Sequence, residues 1–321
     1  MTGFLRPVTE FTVSSGFAYG MLVGLFGTLK LSLSRQGKLF SGDIGPLLIG
    51  LNVALLPMIL LSGIVVDLMG VKFVGIVSSA MAAVGVFALG FQLKTSRTFG
   101  AMLLAGMGGL GLSVASIVSM PEAFFGADLP IAGTCFGFAI IALGSLVAPP
   151  AADILFRTLG SRRAIAILGF ACLLPGFLAC FAGKALPSAG AGQFTLMGVA
   201  TNYTLWTAAL VVAAYAVLEG SLAAWIATFA GDASGKRQQT ASLMASFWLA
   251  LLISRVFVAI AQFGGYLQPK FDAWLLVVPA LLAAATLGNM AGASRHASDR
   301  IGLLILGFLI GPILPGLVGM A

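Results

Sequence analysis

Charged side chains are scarce in this 321-residue chain, 8% of the total against 60% hydrophobic; soluble domains run near about 25% charged and about 45–50% apolar. A water-soluble surface cannot be assembled from that supply, and the mean hydropathy of +1.08 calls for a membrane. Histidine occurs once, at His296, and cysteine three times, at Cys135, Cys172 and Cys180, with no Cys-x-x-Cys pair. Neither a zinc site nor a disulfide framework is supported, and no metal or other cofactor is expected. No Gly-x-x-x-x-Gly-Lys-Ser/Thr string is present, which argues against an ATP-driven pump. An intramembrane hydrolase needs a nucleophile and a base within reach; a lone loop histidine, with no aspartate pair inside the apolar stretches, supplies neither, so no enzymatic activity is expected. The net charge of +7 comes from Lys and Arg scattered in ones and twos, never in a stripe with aromatics. That speaks against nucleic acid as a partner and leaves lipid headgroups as the counter-charge.

What is present is a series of ten apolar stretches, near Val13 to Leu33, Ile44 to Val66, Val71 to Phe91, Ala101 to Met120, Ile131 to Ala151, Ala164 to Ala182, Trp206 to Phe229, Ala241 to Phe263, Ala273 to Ala291 and Ile301 to Met320. A hydrocarbon core about 30 Å thick takes about 20 residues of helix at 1.5 Å each. A β-barrel would show segments of about ten residues with alternating polarity, whereas Ala208 to Ala214 is apolar on every face. The expected fold is therefore an all-α integral membrane bundle of about ten transmembrane helices. The residues before the first stretch, with Arg6, Glu10 and Thr12, show no small-residue cleavage pattern, so no removable signal peptide is expected.

The 42 glycines fit close helix packing, which small residues permit where lipid offers no hydrophobic drive for association. Gly106-Met-Gly-Gly-Leu-Gly111 lies inside an apolar stretch and is not a nucleotide fingerprint. Tyr203, Trp206, Tyr266 and Trp274 fall at stretch ends, where amphipathic rings prefer the interface. The longest interruption, Gly183 to Leu205, carries Lys184, Pro187, Ser188, Gly190 and Gly192. It predicts an N-terminal six-helix bundle over 1–183, a central loop over 184–205 and four further helices over 206–321.

The tight connection between the second and third stretches reads Gly63-Ile-Val-Val-Asp67-Leu-Met-Gly70-Val-Lys72. It resembles the loop signature of the major facilitator superfamily, with Gly63, Asp67, Gly70 and Lys72 in place and Leu68 and Val71 where basic residues are usual. In that family the loop is a conformational latch; taken by itself it is equally a polar turn between two apolar helices. Tyr215-Ala-Val-Leu-Glu219-Gly220 with Trp225, then Ser246-Phe-Trp248 and Ser254-Arg255, resemble the branch that includes fucose permease and related sugar transporters. Leu25 to Ser34 in the first stretch and Gly311-Pro312-Ile-Leu-Pro315 in the tenth are similar to the same branch.

The resemblance implies a secondary active or facilitative transporter of a small polar solute, a sugar in that branch, working by alternating access in a plasma or inner membrane. The family has twelve helices in two pseudo-symmetric halves; ten leave the C-terminal half short of its last two. A second copy of this chain or a partner chain covering the open side, a shortened gene model, or a relic would each account for it. The second latch is poor, with Pro269 where Asp would stand in Gly265-Tyr-Leu-Gln-Pro269-Lys270. The alternative reading is a non-transporting scaffold or regulatory membrane protein derived from such a transporter. The latch implies a cytoplasmic N-terminus, which sends Arg35, Lys38, Lys94, Arg97, Arg157, Arg162 and Arg163 outward, against the positive-inside rule.

Ionisable groups at bilayer depth mark functional sites by default. Glu219 lies thirteen residues from Trp206 and ten from Phe229, and Arg255 fourteen residues into the eighth stretch, which at 1.5 Å per residue puts the two within roughly 10 Å in depth. Glu219 is expected to contact a polar solute or carry a proton, with Arg255 as its charge partner or a solute anchor; the simpler alternative is an ion pair fixing helix seven to helix eight. Tyr19 and Asn52 offer polar atoms in the N-terminal half, and Trp225 and Trp248 can stack on a sugar ring; each is also a candidate for plain packing. The first and fourth stretches hold no carboxylate of the kind used in proton-coupled sugar uptake, the fourth offering Ser113, Ser116 and Ser119.

Overall fold

The computed structural model describes residues 7–35, 44–90, 95–125, 128–182, 185–187, 201–203, 206–207, 209–212, 214–215, 218–219, 237–268, 272–292 and 298–320. Among the described residues there are no strands, and nine helices follow one another: α1 (Pro7–Arg35), α2 (Ile44–Leu89), α3 (Thr95–Ala123), α4 (Pro130–Leu159), α5 (Ser161–Phe181), α6 (Arg237–Phe263), α7 (Asp272–Gly292), α8 (Ser298–Ile310) and α9 (Ile313–Met320). Residues 209–212, 214–215 and 218–219, inside the seventh apolar stretch, are also helical. Among the described residues seven segments are long and apolar enough to cross a bilayer: Leu61–Leu89, Arg97–Ala123, Pro130–Leu159, Arg162–Phe181, Ala245–Phe263, Asp272–Met290 and Ile301–Met320. In hydrocarbon the backbone must satisfy its own polar groups, and helices do so within the segment. The protein is an all-α integral membrane protein.

Among the described residues two joints are one residue long. The second and third apolar stretches run together as α2, interrupted at Gly70 with φ 81° and ψ 162°, and α4 passes to α5 through Gly160 with φ 77° and ψ 161°. That region of backbone space is essentially restricted to glycine. A third glycine with positive φ, Gly265 at 74°, closes α6, where the N–H groups of Tyr266 and Leu267 both donate to the Ala261 carbonyl. There Gln262 Nε2 donates to Asp272 Oδ1 at 2.9 Å, tying the end of α6 to the start of α7. Pro269 and Lys270, part of the weak second latch, lie outside the described residues.

The chain divides into two compact units, one of Met1–Phe124 with Leu143–Phe194, the other of Phe125–Ala142 with Thr195–Ala321. The six-plus-four division expected from the long interruption keeps the fifth stretch whole in the N-terminal bundle; by packing, α4 contributes its first residues to the second unit and the rest to the first.

In the first unit α3 meets the second half of α2 along a seam of small residues. A Cβ added at Gly108 would overlap the Ala82 backbone nitrogen and lie 2.8 Å from its Cα, and one at Gly85 would lie 2.7 Å from the Ala105 Cα. Backbones this close exchange many weak contacts that lipid cannot replace. Hydroxyls in the same unit turn inward: Thr9 Oγ1 donates to the Ala123 carbonyl at 2.6 Å, Ser116 Oγ to the Thr12 carbonyl at 3.2 Å and Ser119 Oγ to the Ala115 carbonyl at 2.9 Å. Of the serines of the fourth stretch, Ser116 thus ties α3 to α1 and Ser119 bonds back within α3.

In the second unit Phe247, Leu251, Leu306 and Ile310 form a buried core between α6 and α8. Ile131 and Cys135 of α4 pack on Val258 and Ala259 of α6. Thr134 Oγ1 donates to the Pro315 carbonyl of α9 at 2.8 Å. Of the seven described spans the least covered is that of α7, with 6% of its window buried against 50% for Ile301–Met320. The open surface therefore falls on the ninth apolar stretch more than on the tenth.

Candidate functional site

The expected latch residues occupy the α2 joint. Gly70 makes the turn, as its place in the motif calls for, and Asp67 is exposed. The N–H of Val71 donates to the Pro187 carbonyl at 3.3 Å and Lys72 Nζ to the Cys180 carbonyl at 3.4 Å. Cys180 belongs to the last turn of α5, where four carbonyls have no intrahelical partner and a cation is favoured. Lys72 therefore fastens the joint to the end of α5. Gly63 faces open space, since a Cβ there would meet nothing within 4 Å.

The charged pair at bilayer depth lies in the second unit. Arg255 is the eleventh residue of the nineteen-residue span Ala245–Phe263, and only 3% of its side chain is exposed. A guanidinium so placed must find partners, because an uncompensated buried charge is very costly. Arg255 Nε donates to the Gly311 carbonyl at 2.9 Å and Nη1 to the Phe138 carbonyl at 3.2 Å. The guanidinium carbon stands 5.6 Å from the centre of the Phe138 ring, within cation–π range. Nη2 approaches Glu219 Oε1 at 3.8 Å, with 19% of the Glu219 side chain exposed. That spacing is an ion pair without a hydrogen bond, so the carboxylate keeps acceptor capacity for something else.

Tyr215 precedes Glu219 by one helical turn, on the same face. Its hydroxyl is buried against both Glu219 and Arg255 without a hydrogen bond of full geometry to either. A buried hydroxyl left unbonded costs about 1–3 kcal/mol. The cluster thus sets a carboxylate and a phenol, both able to hydrogen-bond a solute, beside a cation fixed by backbone carbonyls. Among the described residues no group of three or more His, Cys, Asp or Glu could hold a metal ion.

Of the other expected site residues, Trp248 packs against the core of the second unit with its ring 5.7 Å from that of Phe247, so its indole serves that packing. Tyr19 belongs to the first unit, half-buried against Gly109. Asn52 lies in α2, in a stretch whose side chain is outside the described residues, as is all of Trp225. Residue reading missed Tyr215 as a site residue, although its i, i+4 relation to Glu219 is visible in the sequence. It also missed the Phe138 and Gly311 carbonyls, which no residue type announces.

Comparison with known proteins gives no family: no protein-family model matches the chain, and no curated protein is significantly similar to it.

Proposed function

We propose that this protein is a secondary transporter of the major facilitator type, moving a small polar solute, of the sugar class by its motif resemblance, across a plasma or inner membrane by alternating access. The observation that carries the reading is the Glu219–Arg255 pair, 3.8 Å apart, with Arg255 at mid-span and bonded to the Gly311 carbonyl where α8 and α9 are interrupted. Transporters of this kind bind solute near the midplane beside discontinuous helices. Support for the architecture comes from the repetition of a single-glycine joint, Gly70 between the second and third stretches and Gly160 between the fifth and sixth. Triplet repeats inside a six-helix half would place such joints at these two positions.

The test is uptake of a panel of radiolabelled sugars and small polar solutes into proteoliposomes, with and without a pH gradient. Saturable uptake is expected, and Glu219→Gln is expected to reduce it by about 10- to 100-fold, the value of about 1.5–3 kcal/mol for a hydrogen bond to a charged group. Absence of saturable flux from protein that stays monodisperse would sink the proposal. The non-transporting scaffold is the reading it would leave, and one feature favours that reading: the 6% burial of the α7 window, which leaves a membrane-length face for a partner.

Orientation is proposed as N-terminus cytoplasmic. In a chain freed of its three cysteines, Asp67→Cys is expected to react with a membrane-impermeant thiol reagent from the cytoplasmic side alone, and Arg162→Cys from the other side alone. Both residues are exposed at helix joints. The reverse pattern, which the positive-inside rule favours, would overturn the assignment.

A further inference from the structure

The tenth apolar stretch is broken. α8 ends at Ile310 and α9 begins at Ile313, with Gly311 and Pro312 between. In an uninterrupted helix each carbonyl is met by the N–H four residues on; for Gly311 that residue is Pro315, which has no N–H to give. The helix pattern resumes on either side, with the Gly311 N–H donating to Gly307 at 3.2 Å and the Gly316 N–H to Pro312 at 2.9 Å. Gly311 is the eleventh residue of the twenty in Ile301–Met320, a depth at which water is absent and an unmet carbonyl costs several kcal/mol. Arg255 Nε fills that position at 2.9 Å. Gly311 is also the residue the contact demands: a Cβ there would collide with Ser254 Oγ and lie 2.9 Å from the Leu251 carbonyl.

We infer that Arg255 is a positioning residue: it clamps the break in the tenth span by meeting the carbonyl that Pro315 leaves without a donor, and it anchors this clamp on α4 through the Phe138 carbonyl. Two of its nitrogens are committed to backbone, and the approach to Glu219 at 3.8 Å is longer than either of those bonds. The guanidinium is held in place by the fold and supplies Glu219 with a nearby positive charge without bonding to it. Under the transport reading, on which this last step rests, Glu219 and Tyr215 meet the solute and Arg255 does not.

The clamp has a signature that neither a counter-ion nor a solute anchor shares. Pro315→Ala returns an N–H to position 315, so Gly311 regains a helical partner and the need for Arg255 falls. Arg255→Met is expected to lower the thermal midpoint of the purified protein by on the order of 10 °C. Adding Pro315→Ala is expected to restore at least half of that loss, after correction for Pro315→Ala alone, while adding Glu219→Gln restores little. Recovery by Glu219→Gln as large as that by Pro315→Ala would make Arg255 the counter-ion of Glu219 and overturn the inference; so would no recovery by either. If Arg255→Met yields no folded protein, the double variants decide: folded protein with Pro315→Ala supports the clamp, and none overturns it. These readings need no solute, so they stand apart from the uptake test. For any solute the wild type transports, Arg255→Met/Pro315→Ala is expected to raise KM several-fold less than Glu219→Gln does, the residual rise reflecting loss of the nearby charge; a KM rise in the double variant matching that of Glu219→Gln would overturn the positioning role.

Discussion

Gly108→Ala is expected to lower the thermal midpoint by on the order of 5–10 °C, while Gly100→Ala, on the same helix, leaves it unchanged or raises it. The first change puts a methyl into the seam where α3 lies against the second half of α2. The atoms it meets belong to the backbone of Ala82 and to the Ser78 carbonyl. Backbone cannot swing aside as a side chain can, so the two helices must separate, and overpacking of this kind costs about 1–3 kcal/mol and occasionally more. At Gly100 the added methyl meets nothing within 4 Å, and the substitution gains helix propensity of up to about 1 kcal/mol. Differential scanning fluorimetry on the two variants in one detergent checks the pair. Equal midpoints would mean that the seam does not hold the first unit together.

The two glycines of the latch motif are expected to part in the same way. Gly70→Ala should cost about 1–3 kcal/mol, because a residue with a Cβ is forced into φ 81° and ψ 162°. Gly63→Ala should be silent, since its surroundings are empty within 4 Å. Because Lys72 bonds to the last turn of α5, the strain at Gly70 should also loosen that contact, and proteolysis near residue 187 is expected to quicken in Gly70→Ala and not in Gly63→Ala. A motif match ranks the two positions together; the backbone separates them. Equal sensitivity at both positions would count against this account of the joint.

The membrane character of the chain is legible from hydropathy because each helix needs only length and apolarity, which neighbouring residues carry. The third, fourth, sixth, eighth and ninth stretches are helices that sequence counting places within a few residues, whereas the fifth runs on to Leu159, past its expected end at Ala151, and the tenth is broken at Gly311. The proximity of Glu219 and Arg255 was legible for a related reason: depth along a helix is a count at 1.5 Å per residue, and 3.8 Å separates the two groups. Lateral neighbours are another matter. Nothing in the residue at position 138 says that its carbonyl receives Arg255, since the contact depends on where the first residues of α4 pack. Pro315 announces that the Gly311 carbonyl lacks a donor, yet the sequence does not say which side chain supplies one. The division of α4 between two units is hidden for the same reason, as a uniformly apolar helix carries no mark of which neighbour each turn will meet.

The one-residue joints have a consequence for biogenesis. A helix pair joined by Gly70 or Gly160 alone has no slack, so neither partner can settle in the bilayer while the other waits outside; each pair must enter as a preformed hairpin, tip first or tip last. The Gly70 tip carries Asp67 and Lys72, one charge of each sign. The Gly160 tip carries Arg157, Arg162 and Arg163 against Asp153, all exposed, and its Arg157–Asp153 pair at 2.9 Å spans one turn of the helix. With three membrane-length helices between them, the tips emerge on opposite faces. The nearly neutral hairpin is the easier to push through the membrane and the basic one the more resistant to translocation, so the order in which the two hairpins commit during synthesis would decide which way the whole protein faces.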